Sequence, residues 1–358
     1  MDYRILVINP GSTSTKVAVY EDEKELFMEN IVHSEEALSQ CSALLEQMPL
    51  RLAAVQESLS AHGLQAEDLS AVVGRGGMIP RLKTGAYRVD QALKAVIESG
   101  KLIPHASNMG ALLADAIAAP LGLPAIIYDA VSADDLPEMA KITGIPEIRR
   151  QSFCHVLNSR AMGRKFAKAQ GRKYEEMNLL IAHLGGGISI SAHRGGRIID
   201  VITDDGGPFS PERAGSVPLL YIIDMCFSGE YNKAQVTKKQ RGQGGLRAWL
   251  GTADCQEIEE RIHNGDEKAA LIYEAQAYQI AKGIGNLAPA LHCSMDAILL
   301  TGGLAYSRML MEKIRSYVGP LAPIHVLPGQ CEMEALALGM LRVLRGEEEA
   351  KSYSAEAE

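Results

Sequence analysis

The stretch from Ile5 to Tyr20, Ile-Leu-Val-Ile-Asn-Pro-Gly-Ser-Thr-Ser-Thr-Lys-Val-Ala-Val-Tyr, limits the possible folds most tightly. Two apolar, β-branched runs flank a polar loop that carries one glycine, four hydroxyls, an amide and a lysine. The pattern predicts strand, tight turn, strand. Backbone N–H groups, the hydroxyls of Ser12 and Ser14 and the cation of Lys16 would suit a polyanion. One such turn is weak ground, because a plain surface hairpin has the same composition. Repetition strengthens it.

Leu179 to Asp200 runs again from an apolar strand through His183 to Gly185, Gly186 and Gly187, then into an alternating strand. A third glycine turn, Gly302-Gly303, follows the apolar run Ala297–Thr301 and precedes Ser307. Internal repeats decide architecture more firmly than local motifs. Two hairpins half a chain apart predict a duplicated domain with a site between the halves. Three loops rich in N–H donors predict a nucleotide as the shared ligand.

The 358 residues are 47% hydrophobic and 22% charged, enough for large cores and two to three domains. No apolar run reaches the roughly 18 residues of a membrane span, and no signal peptide precedes the first strand, so the expected location is cytoplasmic. Six cysteines without a C-x-x-C pair fit reduced thiols rather than a disulfide framework or zinc site. A net charge of −8 lacks the basic footprint of a nucleic-acid binder.

Helices are expected over 34–48, 50–62, 91–99, 105–118 and 151–170, and strands over 71–73 and 125–128. This alternation is α/β, while the hairpins exclude a purely parallel doubly wound sheet. Gly171–Tyr174 could be the crossing point between halves. The charged tail 346–358 is expected to fray without function. No G-x-x-x-x-G-K-[ST], complete G-x-G-x-x-G, G-x-S-x-G or H-E-x-x-H is present.

The motifs Asn9-x-Gly11-Ser12-x-Ser14-x-Lys16, His183-Leu-Gly-Gly-Gly, Gly302-Gly303 and Glu332-Met-Glu334-Ala-Leu-Ala together resemble the acetate kinase family. With the chain length and Gly74-Arg75-Gly-Gly, the likeness leans to its butyrate kinase branch and covers essentially the whole sequence. It implies two ribonuclease H-like domains of the actin-like ATPase fold around a central nucleotide cleft. These would be residues 1–150 with 335–358, and 151–334. The implied reaction is reversible, magnesium-dependent transfer of phosphate from ATP to a short-chain fatty acid. The implied partners are that acid, ATP/ADP and further copies of the chain, with neither nucleic acid nor membrane.

Residue by residue, the resemblance makes Arg75 the carboxylate-binding arginine, with Arg81 in reserve; a guanidinium fork suits a carboxylate. Arg213 and His155 resemble the groups that contact the transferring phosphoryl, where positioned donors are worth on the order of 10²–10³-fold in rate. Asp129, after a strand, resembles the active-site aspartate, and His105 a further active-site histidine. Asn9 and Glu334 resemble the magnesium shell, with Glu332 as the alternative register. Ser12, Ser14, Lys16, His183 and Gly185–Gly187 would face the ATP phosphates. Asp254 would lie on the ribose side, and Gly302, Gly303 and Ser307 along the adenosine. Each site residue also has a plain structural reading, as surface arginine, helix cap or core histidine. Where acetate kinases place a phenylalanine before the histidine matching His155, this chain has Cys154, which should deepen the pocket for a C4 or C5 acid. The alternatives are an acetate or propionate kinase first, and after it a sugar kinase or a non-catalytic ATP-switched binding module of the same fold.

Overall fold

In the computed structural model, which describes residues 2–354, the expected hairpins are present and are built alike. The first unit runs to Asp134 and resumes at Cys331; the second is Asp135–Gln330. The expected boundaries near 150 and 334 thus lie at 134 and 330, and Gly171–Tyr174 falls inside the second unit.

In the first unit, β1 (Arg4–Pro10), β2 (Ser14–Glu21), β3 (Lys24–Val32), β4 (Ala71–Arg75), β5 (Ala86–Arg88) and β6 (Ala125–Tyr128) form one sheet in the order β3-β2-β1-β4-β6-β5. β1, β4 and β6 are parallel, while β1-β2-β3 is an antiparallel meander. Leu6, Ile8, Val17, Val19 and Val72 pack against Val55 and Leu59 of the helix Met48–Ala61 and Met109, Leu113 and Ile117 of Met109–Ala118. The helix Glu332–Leu344 also packs on β1, β4 and β6. A sheet covered on both faces needs continuous apolar runs, and β1 has one.

In the second unit, β7 (Leu179–Leu184), β8 (Ile188–Arg194), β9 (Arg197–Ile202), β10 (Ala297–Gly302) and β11 (Ile324–Pro328) follow the order β11-β10-β7-β8-β9. Strand for strand this repeats β6-β4-β1-β2-β3. Leu180, Ala182, Ile190, Ile298 and Leu300 pack on Tyr273, Ala277, Ile280 and Ile284 of the long helix Glu267–Leu287. Leu179, Ile181, Ala297 and Leu299 cover Phe166, Tyr174 and Met177.

Two expectations need correction. The helix expected over 34–48 is broken into Glu35–Ser39 and a 3₁₀ turn, Leu44–Gln47. Glu46 accepts from the Ser42 N–H at 2.7 Å and the Ala43 N–H at 3.3 Å, which starts a new capped turn in mid-segment. The tail does not fray through 354. Tyr128 donates to Glu348 at 2.8 Å, Lys351 bridges Tyr87, and Ala350 and Tyr353 are buried. The last four residues of the expected tail lie outside the described ones.

Candidate functional site

Parallel strands present their carboxyl ends together, where ligand chemistry gathers in α/β sheets. In the first unit Ile8 pairs with Gly74 and Arg75 with Tyr128, so Asn9, Arg75 and Asp129 end three neighbouring strands. Asn9 also faces Lys16 across the hairpin. A pocket of about 660 Å³ here is lined by Asn9, Ser12, Ser14, Lys16, Arg75, His105 and Glu332, among others.

Its chemistry centres on one carboxylate oxygen. Glu332 Oε2 lies 2.5 Å from Arg75 Nη1 and accepts from Asn9 Nδ2 at 3.0 Å. Of the two glutamates weighed for the metal, the structure therefore brings Glu332, not Glu334, to Asn9. Glu334 is two residues further along the helix and does not line the pocket; Tyr20 feels its charge instead. Lys16 is exposed and has no ion pair among the described residues, so two cations and one carboxylate line the pocket. His105 Nδ1 accepts from the Ser107 N–H at 3.2 Å, which leaves Nε2 to carry the proton of the neutral ring. Burial, then the positive charge of Arg75, hold His105 below the ordinary histidine range.

Two first-unit candidates sit elsewhere. Asp129 is 2% exposed, outside the pocket lining, and its Oδ1 accepts from the Gly85 N–H at 2.7 Å. Its φ of +41° is uncommon outside glycine, though Asp tolerates it better than most residues. Arg81 is exposed and also outside the lining.

The second unit brings its two histidines face to face. The rings of His155 and His183 stack at 3.8 Å, 14° from parallel. His155 Nδ1 lies 2.7 Å from Ser189 Oγ, and His183 Nδ1 lies 2.9 Å from Asn158 Nδ2. Since an amide NH₂ can only donate, His183 Nδ1 accepts there. Arg213 covers Gly187 so closely that a Cβ at 187 would meet its guanidinium at 2.5 Å. Arg213 ion-pairs with Asp204, whose other oxygen accepts from Arg241 at 2.8 Å. Burial and the charge of Arg241 lower the Arg213 pKa.

The nucleoside-side candidates do structural work. Asp254 caps the helix Cys255–His263 by accepting from the Gln256 N–H at 2.9 Å. Ser307 caps Arg308–Val318, accepting from the Leu310 N–H at 2.9 Å, and donates its proton to Glu259. Gly302, at φ +92°, is required because a Cβ would meet the Leu184 carbonyl oxygen at 2.3 Å. Gly303 opens the 3₁₀ turn Gly303–Tyr306 with open space around its Cα.

Sequence reasoning missed Asn158, Ser189 and Asp204. Ser189 had a signal, since Ile188-Ser-Ile-Ser191 alternates polar and apolar residues at strand period. Asn158 and Asp204 had none, because their contacts with His183 and Arg213 are made between separate elements of the fold.

The duplicated strand order and the polar groups at the carboxyl ends define an actin-like ATPase fold. A solved acetate kinase from Porphyromonas gingivalis matches at a TM-score of 0.79 with 19% identity, over 96% of this chain and all of that one. A propionate kinase from Francisella tularensis matches at 0.70 with 20% identity, over 94% and 98%. A sequence model of the acetokinase family fits residues 135–318. A protein described as probable butyrate kinase 2, from Caldanaerobacter subterraneus subsp. tengcongensis, is 47% identical over 98% of this chain and 99% of its own length. The chain belongs to the acetokinase family, whose members are phosphotransferases with a carboxyl group as acceptor.

Proposed function

We propose that this protein transfers a phosphoryl group between ATP and butyrate or a branched C4–C5 acid, giving an acyl phosphate and ADP, in the cytoplasm. The observation that carries the reading is the cluster of Arg75, Asn9, Glu332, Lys16 and His105 at the carboxyl ends of one sheet, in a chain 47% identical to a probable butyrate kinase.

The acid binds through the Arg75 fork, sharing or displacing its Glu332 contact. Its carboxylate oxygen attacks the γ-phosphorus, the bond to the bridging oxygen breaks, and the electron pair leaves with ADP. The carboxylate is already ionised, so no base is needed. Alignment and charge neutralisation are the work. In the first unit Lys16 and the hydroxyls of Ser12 and Ser14 are the groups for phosphate oxygens; in the second they are the N–H groups of Gly186 and Gly187, since the Gly185 N–H is held by the Gly187 carbonyl. His105, as a neutral Nε2–H donor, and His155 and Arg213 stabilise the charge that spreads in transfer. Asn9 and Glu332 fit magnesium, which favours a few protein oxygens beside phosphate and water; bound there, it would screen the phosphate charge.

Cys154, smaller than phenylalanine, favours the longer acid at about 0.8 kcal/mol per buried methylene. Self-association completes the proposal: Leu219, Leu220, Tyr221, Ile223 and Phe227 of one helix are all exposed. Among the described residues no helix is long and apolar enough to cross a membrane. The test is ATP- and magnesium-dependent acyl phosphate formation, trapped with hydroxylamine, across C2 to C6 acids. A C4 or C5 optimum supports the reading. An acetate optimum removes the Cys154 argument, and no hydroxamate from any acid overturns the activity.

A further inference from the structure

Beneath the first hairpin turn lies a charge without a counter-ion. Arg51 sits on the helix Met48–Ala61 and is fully buried, sharing the helix's inner stripe with Val55, Ser58 and Leu59. All five guanidinium hydrogens are used. Nη1 donates to the Ser14 carbonyl and Thr15 Oγ1, each at 2.9 Å. Nη2 donates to the Ser12 carbonyl at 3.1 Å and Gln47 Oε1 at 2.9 Å, and Nε to the same Gln47 oxygen at 3.1 Å. Every acceptor is neutral, and among the described residues no carboxylate is ion-paired with Arg51. A guanidinium stays protonated at any physiological pH. Burying one without an anion is costly.

The turn above is oriented by this contact. The Thr13 carbonyl is also taken, accepting from the His33 N–H at 2.9 Å. In a planar trans peptide the C=O and N–H point opposite ways. With the Ser12 carbonyl drawn onto Arg51, the Thr13 N–H points away from it, and Thr13 lines the pocket. The Ser12 and Thr13 N–H groups have no partner among the described residues.

We propose that Arg51 is a positioning residue whose buried charge is neutralised by the anion bound over the Gly11–Ser14 turn, so that polyphosphate binding and the stability of this unit are coupled. The inference rests on the proposed use of this turn for ATP phosphates.

The experiment compares wild type, Arg51→Met and Arg51→Lys by thermal melting with and without sodium tripolyphosphate, and by the KM for ATP and for acid. Tripolyphosphate should raise the wild-type melting temperature. Arg51→Met should lose that rise and increase the KM for ATP by roughly tenfold, the scale of one charge acting through a partly screened interior. Its KM for acid should stay within about twofold. Arg51→Lys keeps the charge but not the five-bonded fork, and should retain most of the tripolyphosphate response. A purely structural Arg51 predicts that Met and Lys lose stability alike while the anion response of the folded fraction is unchanged; that result overturns the proposal. If the Met variant does not fold, a folded Lys variant without the anion response also overturns it. Hydroxamate formation by the wild type is scored separately. Its absence alongside a tripolyphosphate response removes the proposed reaction and leaves Arg51 standing.

Discussion

The two hairpin turns have the same position in two sheets of the same strand order, yet they are built from opposite materials. Gly11–Ser14 is closed by the Gly11 N–H on the Ser14 carbonyl at 2.7 Å, and Gly185–Gly187 by the Gly185 N–H on the Gly187 carbonyl at 3.1 Å. The first is crowded with hydroxyls, backed by a buried arginine and bordered by Arg75, Glu332 and Lys16. The second is bare backbone, with the stacked rings of His155 and His183 beside it and Arg213 across Gly187. A duplicated scaffold has thus kept its hydrogen-bonded frame while the side chains around its two turns diverged. Topology sets where a polar group can stand; the side chains brought to that place set what it does.

Substitutions can break this contrast. The largest effect is expected in the first unit. Arg75→Ala removes both the fork for the acid and the partner of Glu332, and should lower kcat/KM by on the order of 10³-fold. Arg75→Lys should recover only part of it, because lysine lacks the bidentate geometry. An alanine variant within tenfold of wild type would take the acid away from Arg75.

His155→Ala, in the second unit, should cost on the order of 10²-fold in kcat with a smaller change in the KM for acid. A fall confined to KM would make His155 a binding group rather than a transition-state donor.

Each hairpin also leans on a buried histidine, and both respond to acid in the same sense. His33 Nε2 lies 2.8 Å from Thr15 Oγ1, and His193 lies between Ser191 at 2.7 Å and Tyr174 at 2.6 Å. Burial, then the charge of Arg51, lowers His33; burial, then Arg160, pushes His193 down to about 3. Folded, His193 is neutral and His33 resists protonation, whereas the unfolded chain protonates both near the ordinary value of about 6.5. The unfolded state therefore holds more protons below that pH, and stability falls as pH drops from about 6.5 towards 3. The loss should be on the order of 2 kcal/mol by pH 5, seen as a lower melting temperature than at pH 7.5. A flat melting profile over that range would contradict these assignments.

The smallest effects sharpen the comparison most. Gly187→Ala places a methyl against the Arg213 guanidinium, the movable end of a long side chain. Folding should change by less than about 1 kcal/mol while kcat falls by about tenfold. Gly11→Ala meets nothing closer than the Ser14 carbonyl oxygen at 3.4 Å, an ordinary contact. It should be within about 0.5 kcal/mol of wild type in stability. Equal activity losses in the two variants would mean that both turns need bare backbone, and the contrast would fail.

Much of this was legible from local pattern. The strand runs of β1, β2, β7 and β8, their glycine turns and the α/β alternation all follow from periodicity and turn chemistry, which act over a few residues. Lys16 could be picked out from the chemistry of the first turn, whereas Asn9 and Arg75 were assigned through the family resemblance. The tail was misjudged because composition alone does not reveal that Glu348 reaches Tyr128 or that Lys351 pairs with Tyr87. Asp254 and Ser307 look alike as ligands or as caps in sequence, and only the N–H groups they accept from tell the two apart.

The sequence by itself determined the duplicated strand-turn-strand frame and its family, because hydrophobic period and loop chemistry are written in neighbouring residues. Tertiary structure alone decided that Glu332 rather than Glu334 meets Asn9 and Arg75, 323 residues from Asn9 along the chain. It alone decided that His155 stacks on His183, and that Arg51 lies under a turn nearly forty residues away. Those pairings depend on helix rotation and sheet register, which are set by packing across the whole unit and leave no trace in local order.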